Sequence, residues 1–219
     1  NGARGAVACR VNSGTEVVFE NVKNNASVSA IGNIPDSDDC AGAMVGKVEL
    51  EGVNVKFVNC VNNGAITGLN QVGGLVGWVK TAASVTFENC TNNGLIAETG
   101  TSAYCAGIVC RSDAELNTFT GCTNNAKISS GKDQAGGMLA YASKGSFTFD
   151  SCINNGVIAP TVGKAGGIAG NINCNDADGS KGYFITITNC VNNANITVGG
   201  DAQLGGGIIA QAQNTLALN

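Results

Sequence analysis

The 219-residue sequence predicts an all-β protein, a single right-handed parallel β-helix (solenoid) of about six to seven coils with three short strands per coil. Two recurring sequence motifs and a biased amino-acid composition predict this fold. A turn followed by two asparagines occurs six times, and small residues followed by an apolar pair occur seven times in strict alternation with it. Valine, isoleucine, threonine, asparagine and glycine abound, and helical spacing of apolar residues is absent.

The motif with two asparagines, called the asparagine motif below, sets the repeat length. Its copies start 38, 30, 32, 30 and 38 residues apart, at Asn21, Asn59, Asn89, Gly121, Ser151 and Asn189. In the third repeat, residues 74–79, 84–90 and 95–97 have the length and composition of strands and are separated by turn residues. Each strand is expected to pair in parallel with its equivalent in the next coil, about 4.8 Å away. The right hand follows the general preference of parallel crossovers.

Aligned repeats place one residue type at one position, as a stack of coils requires. The first such column is aromatic and is expected to form an internal ladder of Phe19, Phe57, Phe87, Phe119 and Phe149, followed by Ile187. The second column consists of Cys60, Cys90, Cys122, Cys152 and Cys190. The paired asparagines form two further columns, whose side chains can bond to one another.

The cysteine column has two interpretations. Neighbouring coils bring Cα atoms within the range of a disulfide, but in-register side chains keep their Cβ atoms near 4.8 Å, beyond the ~3.8 Å mean of a disulfide. The sequence therefore favours a ladder of buried free thiols that act as small apolar groups. Cys9, Cys40, Cys105, Cys110 and Cys174 lie outside this column, and their pairing stays open.

Two repeats are longer than the others and predict insertion loops at residues 31–41 and 171–182. The first holds Asp36, Asp38 and Asp39, and the second holds Asp176 and Asp178. The second does not fit a calcium loop, because Ile185 stands where the bidentate glutamate would be. Both are expected to be solvated turns, so the sequence predicts neither a metal site nor a cofactor.

Composition excludes several functions. The net charge is −4 and no basic stripe exists, which argues against nucleic acid as a partner. There is no histidine, which rules out Ser-His-Asp or Cys-His catalysis in this chain. No apolar run is long enough to span a bilayer. The first residues are not a signal peptide, so either such a segment was removed or the chain is an excerpt of a longer one.

One column combines charged and aromatic residues. It directly follows the motif of small residues and an apolar pair. It consists of Arg10, Lys47, Trp78, Arg111 and Tyr141 and continues with Asn171 and Gln211. Strand alternation predicts that these side chains point outward. Exposed aromatic, cationic and amide groups suit a glycan or a cell-surface protein as the partner, through stacking and hydrogen bonds. The alternative is a solvated face with no ligand.

Catalysis is not expected. A β-helix enzyme would use paired carboxylates on polysaccharide, with Glu88 or Asp150 as the candidates here. Their column reads Glu20, Val58, Glu88, Thr120, Asp150 and Thr188, so its acids lie two coils, or about 10 Å, apart. That separation is too long for a retaining pair and marginal for an inverting one.

The phrase at residues 73–77, Gly-Gly-Leu-Val-Gly, resembles the GLUG motif of bacterial surface proteins, with weaker copies at residues 106–110, 136–140 and 166–170. The resemblance implies an exported, adhesin-like repeat domain at the cell surface. The chemistry of the peptidases found beside such repeats does not carry over, because the chain has no histidine. An alternative is a building block of a surface filament, which would self-associate end to end.

Overall fold

The computed structural model describes residues 2–30, 39–100, 104–130, 133–175, 180–200 and 203–213. Within these ranges the chain is all-β and contains no helix. It winds as a parallel β-helix, since each strand pairs in parallel with its equivalents in the coils before and after it. Sheets of five to seven strands correspond to six to seven coils, so the predicted fold class is confirmed.

Each coil passes through five sheets, named A to E in chain order. Sheet A consists of Arg4–Gly5, Cys40–Gly42, Gln71–Gly73, Tyr104–Ala106, Gln134–Gly136, Lys164–Gly166 and Leu204–Gly206. Sheet B consists of Ala8–Val11, Val45–Glu49, Val76–Thr81, Val109–Ser112, Leu139–Ala142, Ala169–Asn173 and Ile209–Gln213. Sheet C consists of Glu16–Glu20, Asn54–Val58, Ser84–Glu88, Leu116–Thr120, Ser146–Asp150 and Ile185–Thr188.

The two remaining sheets are built from very short strands. Sheet D consists of Lys23–Asn24, Val61–Asn62, Thr91–Asn92, Thr123–Asn124, Ile153–Asn154 and Val191–Asn192. Sheet E consists of Val28–Ser29, Ile66–Gly68, Ile96–Glu98, Ile128–Ser130 and Ile158–Pro160, and a single bridge adds Ile196. The three apolar stretches expected in each coil lie in sheets B, C and E. Sheets A and D add two strands because glycine and asparagine, which usually mark turns, pair here between coils.

The structure shortens both expected insertion loops. Residues 40–41 belong to sheet A and residues 171–173 to sheet B, so these positions are strand rather than loop. Pairing with the neighbouring coil holds them in the sheet despite their polar composition. The central parts of both loops, with Asp36, Asp38, Asp176 and Asp178, lie outside the described residues.

The phenylalanine ladder is confirmed. Successive rings from Phe19 to Phe149 stack with centroids 4.9, 4.9, 5.0 and 4.8 Å apart. Such ring pairs contribute roughly 0.5–1.5 kcal/mol each beyond the burial of their area. Ile187 continues the column in the last strand of sheet C and is 38% exposed, because no described strand of sheet C follows it.

The cysteine column is a ladder of thiols. Its members carry thiols without a disulfide, and Cys60, Cys90, Cys122 and Cys152 are completely buried, whereas Cys190 is partly exposed. Each buried thiol lies beside a backbone carbonyl of the preceding coil; the Sγ of Cys90, for example, donates to the oxygen of Phe57 at 3.3 Å. Burial raises the pKa of Cys122 well above its usual value. The column is therefore part of the core packing, and the preference for free thiols over disulfides stays a prediction.

A buried asparagine in sheet D joins each coil to the next. These side chains form the inner ladder of Asn24, Asn62, Asn92, Asn124, Asn154 and Asn192. From Asn24 to Asn154, each Nδ2 donates to the Oδ1 of the following coil at 2.8–2.9 Å and also to the backbone carbonyl two residues further along its own coil. Both donors of every buried amide are thereby satisfied, which a buried polar group requires.

The next residue in each coil forms an outer ladder with the opposite direction. Here each Nδ2 donates to the Oδ1 of the preceding coil at 2.8–2.9 Å, along Asn25, Asn63, Asn93, Asn125, Asn155 and Asn193. These side chains are exposed. Two chains of amide hydrogen bonds thus run side by side with opposite polarity.

The corner between sheets C and D requires a left-handed backbone. Asn21, Asn59, Asn89, Ser151 and Asn189 have φ between 50° and 56° there, and Gly121 has φ 62°. Asparagine and glycine tolerate this conformation better than other residues. The first residue of each asparagine motif therefore forms the corner between sheets C and D.

Replacing one inner asparagine is expected to destabilise the fold strongly. Asn124→Ala removes the acceptor of Asn92 and the donor to both the Ala126 carbonyl and the Oδ1 of Asn154, all of them buried. Three buried unsatisfied groups at about 1–3 kcal/mol each predict a loss of about 3–9 kcal/mol in the free energy of unfolding. Asn125→Ala, in the exposed outer ladder, is the matched control and is expected to lose less than about 1 kcal/mol. Urea unfolding followed by circular dichroism compares the two, and equal losses would show that the inner ladder does not hold the coils in register.

Candidate functional site

The charged–aromatic column lies in sheet B, one residue per coil. Strand pairing aligns its members in the order Arg10, Lys47, Trp78, Arg111, Tyr141, Asn171 and Gln211. The sequence therefore identified a true column, and the structure brings all five predicted binding residues together along one line.

The expectation that this column faces solvent is wrong for its centre. Lys47 is 0% exposed and Trp78 is 7% exposed, whereas Arg10, Arg111 and Tyr141 are half-buried. Trp78 lies outside the apolar core that contains Val76 and Val79 of the same strand, so the column is on the outer side of sheet B. The alternation expected along the strand does not reveal that sheet A folds against that side.

Close contacts demonstrate this approach of sheet A. A Cβ atom at Gly77, beside Trp78, would lie 2.9 Å from the Cβ of Cys40 in sheet A. In the next coil the Sγ of Cys110 donates to the carbonyl of Tyr104 at 3.0 Å. The ring of Tyr104 stacks on that of Tyr141, with centroids 5.0 Å apart. Sheets A and B therefore meet along the rod with their outer faces turned toward each other. We call this strip the groove, and it contains the column.

Cations cover the indole of Trp78. The Nζ of Lys47 lies 4.6 Å from the ring centroid, the guanidinium carbon of Arg111 lies 4.5 Å away, and the Nζ of Lys80 lies 5.7 Å away. Cation–π contacts of this kind grow stronger as the partners lose water. Because its own neighbours surround the ring, Trp78 is not an open stacking surface.

Glu49 neutralises the cations in the N-terminal half of the groove, the part that contains Lys47 and Trp78. Its carboxylate pairs with Arg10 at 2.7 Å, with Lys80 at 3.0 Å and with the buried Lys47 at 3.1 Å. Burial raises the pKa of Glu49, but the hydrogen bonds from Lys80 and Lys47 outweigh it, so the net pKa lies below its ordinary value. Glu49 is thus a carboxylate at neutral pH, as a buried lysine nearby requires.

Asp113 has the same role two coils further on. It is buried and accepts hydrogen bonds from the Nε1 of Trp78 at 3.0 Å and the Nε of Arg111 at 2.7 Å. It also accepts from both the backbone N–H and the hydroxyl of Ser143. Sequence reasoning missed Glu49 and Asp113, although each follows a cation of the column by two residues and so shares its face of the strand.

The C-terminal half of the groove lacks such pairing. The Oε1 of Gln134, the Oδ1 of Asn171 and the Oε1 of Gln211 are buried and accept no hydrogen bond from any residue that the structure describes. We call these three residues the amide strip. A fourth such oxygen belongs to Asn173, on the same strand as Asn171. A buried acceptor without a donor costs about 1–3 kcal/mol, so these groups lower stability.

Two small clefts lie outside the groove. One, of about 180 Å³, opens at the last coil between Cys174, Tyr183 and Phe184. The other, of about 270 Å³, holds the carboxylates of Glu51 and Glu115 and the ammonium groups of Lys144 and Lys181.

The second cleft contains Glu115, whose pKa is lowered. A hydrogen bond from Tyr183 lowers the pKa of Glu115, and Lys144 adds to this effect although burial opposes it. A glycosidase acid needs the opposite shift. Within the described ranges, no three cysteine, aspartate or glutamate residues are grouped so that they could hold a metal ion.

The acidic column of sheet C has the expected register. Glu20, Val58, Glu88, Thr120, Asp150 and Thr188 follow one another through pairing. Its acids therefore alternate with uncharged residues, and neither Glu88 nor Asp150 has a second carboxylate in the adjacent coil at this position.

Comparisons with known proteins add no relative. No family model matches the chain, and neither the curated proteins nor the solved structures contain a match. Among the residues that the structure describes, no helix has the length and apolar character needed to cross a bilayer.

Replacing Glu49 is expected to make stability depend on pH. Glu49→Gln removes the carboxylate shared by Arg10, Lys47 and Lys80 and should lower the midpoint of thermal unfolding at pH 7. The pKa of Glu49 is lower in the folded protein than its unfolded value near 4.5. Glu49 therefore stabilises the fold above pH 4.5, and this stabilisation disappears as the pH falls through the folded pKa. Midpoints of both proteins between pH 7 and pH 3 should converge at the acid end, and a constant difference would contradict the role of Glu49. Glu20→Gln, on an exposed position of sheet C, is the control.

Proposed function

We propose that this chain is a non-catalytic, rod-shaped repeat domain of the cell surface, adhesin-like, which presents a side of its β-helix to a glycan. The observation that carries the proposal is the groove between sheets A and B, which repeats polar and aromatic groups once per coil along the rod. A ligand with its own repeat, such as a polysaccharide, can contact several coils at once, and several weak contacts then add up to useful affinity.

The resemblance to GLUG repeats supports an exported location. Completely buried thiols that stay protonated are compatible with an oxidising environment, because such thiols react slowly. Burial raises the pKa of Cys105 and Cys110 well above the usual range, and both are fully covered. Cys9 is the exposed exception.

A glycan array tests this proposal. The purified chain should bind a subset of immobilised glycans, and the same glycan in solution should compete for it. Because no catalysis is proposed, prolonged incubation with a bound polysaccharide should release no new reducing ends. Absence of binding to every neutral and acidic glycan would overturn the adhesive function, and new reducing ends would overturn its non-catalytic character.

A second candidate function is a building block of a filament. The last described coil exposes apolar side chains, among them Phe184 at 52%, Val191 at 44% and Ile187 at 38%. The inner ladder ends there on the Nδ2 of Asn192 and begins on the Oδ1 of Asn24, so its two ends match as donor and acceptor. A second copy stacked head to tail would continue the ladder and cover the exposed apolar groups.

Ile187→Lys tests the filament. Light scattering over a range of concentrations should show end-to-end polymers of the unmodified chain, and a lysine at the apolar last coil should abolish them. Leu95→Lys is the matched control, since Leu95 is exposed to a similar extent, at 45%, but lies on the side of the rod. A chain that stays monomeric at every concentration would exclude this function.

A further inference from the structure

We infer that the C-terminal half of the groove is a binding site for a neutral oligosaccharide, formed by Tyr141 and the amide strip of Gln134, Asn171 and Gln211. This inference rests on the proposed glycan-binding function and deepens it. It moves the site away from the part of the predicted column around Trp78 to the part of the groove whose amide oxygens accept no hydrogen bond from the described residues.

The geometry of the groove brings the strip together. Asn171 and Gln211 are neighbours in sheet B and follow Tyr141 directly. Gln134 approaches from sheet A, because a Cβ atom at Gly170 would lie 2.7 Å from the carbonyl of Ala135, the residue after Gln134. The three amides therefore occupy adjacent coils around one stretch of the groove.

The chemistry of the strip selects a ligand that donates hydrogen bonds. Its three carbonyl oxygens are acceptors without a donor in the described part of the chain. Sugar hydroxyls are donors and can satisfy them, because the partly buried Gln134 and Gln211 can turn toward a ligand by side-chain rotation. An unpaired acceptor that gains a donor on binding contributes more than one already paired with protein.

Tyr141 provides the apolar contact. Both of its stacking partners, Tyr104 and Arg111, belong to the preceding coil. On the following coil the column changes to the smaller Asn171, so the run of stacked groups ends at Tyr141. The C–H face of a pyranose ring is a suitable partner for an aromatic ring at such a step.

The charges favour a neutral sugar over an acidic one. Three carbonyl oxygens carry partial negative charge and disfavour a carboxylate or sulfate among them. Arg111 is already paired with Asp113 at 2.7 Å. Lys164, next to Gln134 in sheet A, is the cation closest in register, and it adds a further donor for hydroxyl groups.

Calorimetry with defined sugars tests the site. The probes are neutral hexasaccharides of β-1,4-glucose, β-1,3-glucose, α-1,4-glucose, β-1,4-mannose and β-1,4-N-acetylglucosamine, titrated into the whole chain. At least one should bind, and Tyr141→Ala and Gln211→Leu should each weaken it by about tenfold or more, as the loss of one stacking or hydrogen-bonding contact predicts. Gln213→Leu is the matched control on the same strand and should bind within about twofold of the unmodified chain, since Gln213 lies outside the strip.

Stability measurements separate lost binding from lost folding. Gln211→Leu removes a buried acceptor that has no partner, so its thermal midpoint should equal or exceed that of the unmodified chain. Equal affinity in all variants, or binding of acidic glycans alone, would overturn this site and leave the glycan-binding function in place. Absence of binding to any neutral or acidic glycan would overturn both.

Discussion

The amide hydrogen bond between buried asparagines of successive coils is the constraint on which the rest of the structure depends. Each inner asparagine must meet an identical residue at 2.8–2.9 Å, or a polar group is buried without a partner. This condition allows one register between coils. The same register then brings phenylalanine onto phenylalanine and thiol onto thiol, so apolar packing follows from a polar requirement.

The groove shows how such a rod can bury charge. Lys47 is completely covered, and its cost of dehydration is offset by Glu49 and by the face of Trp78. Asp113 gives Arg111 the same support two coils later. Where the column changes to amides, this internal pairing ends. The N-terminal half of the groove is therefore structural, and the C-terminal half retains polar groups that a ligand can use.

Repetition made the fold predictable from the sequence, and the same repetition concealed part of the site. Phe57 and Cys90 reveal their columns because identical residues recur at one position, and stacking is then the only arrangement that buries them all. The burial of Trp78 was not predictable, because it depends on sheet A, whose strands are short and rich in glycine. The roles of Glu49 and Asp113 depend on contacts between coils, which alternation along one strand does not report. The right hand of the helix stays a prediction.

The opposite directions of the two asparagine ladders have a consequence for the length of the rod. A chain of amides that all donate one way adds its dipoles, as the peptides of an α-helix do, and builds up a potential at each end. In this protein the inner amides donate toward the C-terminal coil and the outer ones toward the N-terminal coil, side by side. Their axial dipoles largely cancel, so adding coils creates no growing field along the axis. Evolution can therefore lengthen or shorten such a rod by whole repeats without an electrostatic penalty that scales with its length.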